Sequence, residues 1–88
     1  MSPDHANVFD LISLETGMFH HVWDDYEDAT TGTGRLEALD RGIDHAFAVL
    51  ELLAGLRRTY PQHAAALIQQ WRGTLLRLRD MQAREMAR

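Results

Sequence analysis

Two histidines and a run of acids are the residues whose types and spacing best suggest chemistry. His20 and Asp24, then His21 and Asp25, stand four positions apart. On a helix that spacing puts each imidazole beside a carboxylate, so each pair offers two metal ligands. Glu27 and Asp28 follow closely enough to add carboxylates. The two pairs diverge around a helix, however, and one helix cannot close a tetrahedral site. His45 or His63 would have to arrive from another segment. His20, His21, Asp24 and Asp25 therefore rank only as weak metal candidates, read more simply as exposed groups near a helix end, and no resident metal or cofactor is expected. Spacings of the HExxH, ExxH and EF-hand kinds are absent.

Other routes to catalysis are thinner. There is no cysteine and no lysine, all nine basic residues being arginine; this removes thiolate, Schiff-base and P-loop chemistry and leaves cations suited to pairing with carboxylates or phosphates. Thr31-Gly32-Thr33-Gly34 has no strand before it and no lysine after it, so it reads as a linker. No serine or threonine has a His–Asp relay around it. Glu15 falls within an apolar arc, one turn before Phe19. A buried carboxylate needs a cation or a proton, so the sequence suggests a bend near Thr16-Gly17 that turns Glu15 to solvent. No catalytic residue is assigned, and the chain reads as a non-enzyme.

The elements that must position these groups are helical. A first helix of about 3–29, starting at Ser2-Pro3-Asp4, gathers Val8, Leu11, Ile12, Phe19, Val22, Trp23 and Tyr26 on one side. A second, about 35–58, is apolar over more than half its circumference (Leu36, Leu39, Ile43, Phe47, Val49, Leu50, Leu52, Leu53, Leu56) and so belongs at the centre. A third, about 61–86, follows Thr59-Tyr60-Pro61-Gln62, which fits a capping box, and carries Leu67, Ile68, Trp71, Leu75, Leu78 and Met81. Short connections make neighbours antiparallel. The predicted fold is all-α: one domain over residues 1–88, an up-down-up three-helix bundle with its first and third helices parallel. A hydrophobic fraction of 45% with 25% charged residues is that of a globular chain, not a disordered one.

Charge is sorted along this frame. Residues 1–34 hold seven acids and no arginine, whereas residues 57–88 hold seven arginines against Asp80 and Glu85, within a net charge of −4. Parallel first and third helices place the acidic face (Asp24, Asp25, Glu27, Asp28) near the arginine-rich end of the third. Arg77, Arg79 and Arg84 are expected to neutralise those acids within one chain.

The outer face of the third helix is least explained by a monomer. Ala65, Gly73, Leu76, Ala83 and Ala87 form a smooth seam flanked by Arg72 and Arg79 on one side and Arg77, Arg84 and Arg88 on the other. With Val49, Leu52 and Leu56 as surplus apolar surface on the second helix, the expected partner-binding set is Arg72, Gly73, Leu76, Arg79, Ala83, Val49, Leu52 and Leu56. The functional expectation is a protein–protein interaction module (adaptor, regulator, inhibitor or chaperone) that pairs with itself as a homodimer or with a protein partner. The alternatives are a metal protein using His20, His21, Asp24 and Asp25, a nucleic-acid binder through the third helix, or an acidic mimic through the first. Nucleic acid is disfavoured because the chain is acidic overall and shows no helix-turn-helix spacing. No signal peptide or membrane span is expected, and the cytoplasm is the expected location.

Overall fold

A computed structural model describes residues 3–88, with side chains from residue 7 onward. Three helices follow one another, α1 (Pro3–Asp28), α2 (Gly32–Leu56) and α3 (Pro61–Met86). The all-α up-down-up architecture is the one the helical periods imply. The expected Ser2 start lies outside the described residues.

One helix start and one helix cap differ from expectation. α2 begins at Gly32 rather than near 35, because Thr31 serves as its N-cap in extended conformation and its Oγ1 accepts a hydrogen bond from the Gly34 N–H at 3.0 Å. That bond satisfies one of the orphan donors of the first turn and offsets the poor helix propensity of Gly32 and Gly34. The glycines also leave room. A Cβ on Gly34 would meet Thr31 Oγ1 at 3.1 Å, and one on Gly32 would meet Glu85 Oε1 at 3.1 Å. α3 is entered from Tyr60, not Thr59, with no side-chain cap bond and with Pro61 fixing the first helical residue. The N-cap is therefore one residue beyond the Thr59 of the expected capping box, and Tyr60 forms no such box.

α2 is the central helix. Ala38, Leu39, Gly42, Ala46, Val49, Leu53 and Leu56 are buried along it. Val22 of α1 and Ala64, Ile68, Leu75 and Leu78 of α3 are buried against it. The small residues Ala38, Gly42 and Ala46 recur every four positions and let both neighbours approach, with Val22 of α1 and Leu78 of α3 each 3.5 Å from where a Gly42 Cβ would stand. Burying a side chain of valine or leucine size contributes about 1.5–3 kcal/mol, so this two-sided stripe is the main source of stability.

α1 and α3 pack on α2 but not on each other at backbone level. Among the described residues no Cα of α1 lies within 8 Å of a Cα of α3. The chain is elongated, 48 × 19 × 13 Å, with a radius of gyration of 14.5 Å. A compact chain of this length has about 12 Å. No helix among the described residues is long and apolar enough to cross a membrane.

Candidate functional site

The gap between α1 and α3 is bridged by rings rather than closed by backbone. Phe9 meets Tyr60 edge-on at 5.7 Å between centroids, and Phe19 meets Trp71 edge-on at 5.2 Å. Between and beyond these bridges lie three hollows in a row. The first, about 320 Å³, is walled by Phe9, Ile12, His63 and Leu67 over a floor of Leu53 and Leu56. The second, about 370 Å³, shares Ile12, Leu53 and Leu67 with the first and adds Thr16, Gln70 and Trp71. The third, about 310 Å³, shares Phe19, His20 and Thr74 with the second and ends at Trp23 and Arg77. The shared residues make the three hollows one shallow apolar trough, with α1 and α3 as walls and α2 as floor. Phe9 and Leu67 are each 41% exposed on its walls.

Seven-residue stripes edge the trough. Ser13, His20 and Glu27 share one side of α1, and His63, Gln70, Arg77 and Arg84 share one side of α3. Its lip thus carries an acid, Glu27, near the end of α1, with Asp24 and Asp28 beyond it on the outer face, and arginines (Arg77, Arg84, Arg88) along the end of α3.

Those two lips are not neutralised by each other, contrary to expectation. The α1 acid that finds an arginine is Asp25, 3.5 Å from Arg41 of α2, with both side chains more than half exposed. On α3, Arg84 pairs with Asp80 at 3.0 Å and Arg88 lies 3.7 Å from Glu85. Arg79 instead lies over the Phe47 ring of α2, 5.3 Å from its centroid. Among the described residues Asp24, Glu27, Asp28 and Arg77 have no ion pair. The reason is the trough itself, which holds α1 and α3 apart.

Glu15 is not turned to solvent. α1 runs unbroken through Thr16-Gly17, with the Thr16 hydroxyl donating to the Ile12 carbonyl at 2.7 Å. Glu15 Oε2 is instead 2.5 Å from His45 Nδ1 of α2, with both side chains about three-quarters covered. This bond satisfies the carboxylate that the sequence left without a partner, and it removes His45 from any site at His20 or His21. His63 lines the far end of the trough, beside Phe9. His20, His21, Asp24 and Asp25 are all exposed, and no group of three or more metal-ligating side chains converges among the described residues.

The strongest charged contact lies where the end of α3 meets the start of α2. Glu85 Oε1 accepts from Arg35 Nη2 at 2.8 Å and from Arg35 Nε at 3.0 Å, and the Glu85 side chain is only 6% exposed. These bonds hold the Glu85 carboxyl below the usual carboxylate range and raise the Arg35 guanidinium further. Gln82 donates to Asp40 at 2.9 Å beside this clasp.

The expected partner-binding residues divide. Arg72, Gly73, Leu76, Arg79 and Ala83 are exposed, Leu76 to 66%. Val49 and Leu56 are core, 0% and 3% exposed, and Leu52 is half-buried. The excess arc of α2 is thus consumed by α1 and α3 at Val49 and Leu56, whereas Phe47 stays 45% exposed beside Leu50. Leu11 and Leu67, placed in core stripes from the sequence, are 46% and 41% exposed. Leu11, Leu14 and Met18 form a second exposed strip on the edge of α1 away from α3. Phe9, Tyr60 and Thr74 escaped the sequence reading. The signal that marks the two walls is the recurrence of Phe9, Thr16 and Trp23, and of His63, Gln70 and Arg77, at seven-residue intervals beside each core stripe.

Compared with protein-family models, with curated proteins and with solved structures, the chain matches none.

Proposed function

We propose that this chain is a protein-interaction module whose docking surface is the apolar trough between α1 and α3. The observation that carries the reading is the row of three hollows, floored by α2 and edged by unpaired charge. Apolar surface of this kind, ringed by polar groups, is characteristic of sites that dock a partner. The exposed ring of Phe9 and the partly buried rings of Phe19, Trp23, Tyr60 and Trp71 are the residue types that dominate binding energy at such surfaces. The outer seam of α3 offers one large apolar side chain, Leu76. On the side of Arg72 a separate hollow of about 510 Å³ lies between α2 and α3, lined by Phe47, Leu50, Arg57 and Leu75. It stands alone, whereas the trough is a continuous row.

Placing a photo-crosslinking amino acid at position 67 or position 76 in cells tests this directly. Docking through the trough gives discrete adducts from position 67 and none from position 76. Adducts from 76 alone, or from neither, would overturn it.

A further inference from the structure

The trough's two lips carry opposite charge, and that asymmetry selects an occupant. Glu27 lies on the α1 stripe of His20 and Trp23, which line the last hollow; Arg77 lines the same hollow from α3. Both charges stand at the same end of the molecule because α1 and α3 are parallel. A two-fold axis running along the helices, through the mouth of the trough, maps α1 of one copy over α3 of the other without changing level. It sets Glu27 of each copy against Arg77 and Arg84 of the second. A two-fold axis perpendicular to the helices instead lays α1 on α1 and α3 on α3 in opposite directions, so that Glu27 faces the Phe9 end of α1 and Arg77 the Gln70 region of α3, and neither meets an opposite charge.

We propose that the trough is covered by the trough of a second copy, in a parallel two-fold dimer that pairs α1 of each chain with α3 of the other. This rests on the trough being the docking surface and names its partner. The dimer brings the α1 wall of each copy, with Phe9, over the α3 wall of the other, with Leu67, and its acidic and basic lips fix the choice between the two possible two-folds.

The test is sedimentation velocity on the whole chain, wild type and two exposed-lip variants, Glu27→Arg and Arg77→Glu, with circular dichroism to confirm that each remains helical. Wild type sediments as a dimer. Each variant alone sets like charges against each other at two symmetric contacts and weakens the dimer by about tenfold or more. An equimolar mixture of the two restores it. The arginine introduced at position 27 of one chain then meets the glutamate introduced at position 77 of the other, and the native pair forms on the opposite side. A dimer left unchanged by both single variants would overturn the arrangement in favour of α1 on α1, where neither position meets a charge of the second copy. A wild-type monomer at high micromolar concentration would overturn self-pairing altogether. Crosslinks from position 67 to a different protein would then leave the docking surface standing, whereas their absence would remove both.

Discussion

The two apolar surfaces of α3 differ in what makes them. Its outer seam is a property of one helix: alanines, Gly73 and a single leucine between rails of arginine. Its trough-side wall exists only because α1 stands opposite, too far for backbone contact and close enough for Phe19 to reach Trp71 at 5.2 Å. A helical wheel displays the first surface and cannot display the second. Smoothness is cheap for a helix, since alanine is its best former. A row of hollows with an aromatic lining needs three elements held in register, and is therefore the stronger indication of a partner.

The sharpest way to break this contrast is to remove a wall. Trp71→Ala deletes a half-buried indole and its contact with Phe19, and should destabilise the fold by about 2–3 kcal/mol in chemical denaturation. Leu76→Ala on the seam should change stability by less than about 0.5 kcal/mol. Equal losses at both positions would mean that the seam is packed in a way the single chain does not display. The next effect concerns what holds the α1 wall on α2. Glu15→Ala leaves the largely covered His45 without its partner and should cost about 1–2 kcal/mol, measured by urea unfolding. A neutral result would indicate that the pair is replaced by water at no cost.

A smaller effect of opposite sign sharpens the comparison further. Nothing lies within 4 Å of a Cβ placed on Gly73, so Gly73→Ala should stabilise the chain by about 0.5–1 kcal/mol through helix propensity. It should leave association unchanged, because the seam has no close partner. Weakened association in sedimentation would instead place a partner's backbone on the seam. The smallest effect is the clasp that seats the end of α3 on α2, since Arg35 keeps 27% of its side chain in water. Arg35 holds the folded-state Glu85 pKa below its unfolded value. The clasp therefore stabilises fully above the ordinary carboxylate range and is lost as pH falls through the lowered folded value. Glu85→Gln should flatten that part of the acid limb of thermal melting, whereas an unchanged acid limb would show that other carboxylates control it.

Much of the fold was legible because it is written in local period. The apolar sweep around α2 implied coverage on both sides, and α1 and α3 supply it. Pro61 marked the start of α3 correctly to the residue. The start of α2 was obscured because Gly32 and Gly34 look like linker until the Thr31 hydroxyl is seen to cap them and Glu85 to need the space beside Gly32. Glu15 could be recognised as a carboxylate in an apolar arc, but its partner lay thirty positions away on another helix. Charge sorting suggested that the ends of the chain attract, yet it could not reveal that the aromatic bridges would keep α1 and α3 apart. The trough was the least legible feature, since each of its walls looks like the edge of an ordinary amphipathic stripe.

The chain lacks cysteine, which permits a direct reading of which surface is covered. The rate at which a thiol introduced by Leu67→Cys, or separately by Leu76→Cys, reacts with a water-soluble maleimide can be followed as protein concentration rises. The thiol in the trough should become protected with increasing concentration while the one on the seam keeps a constant rate. Protection at position 76 with none at position 67 would contradict the assignment of the docking surface.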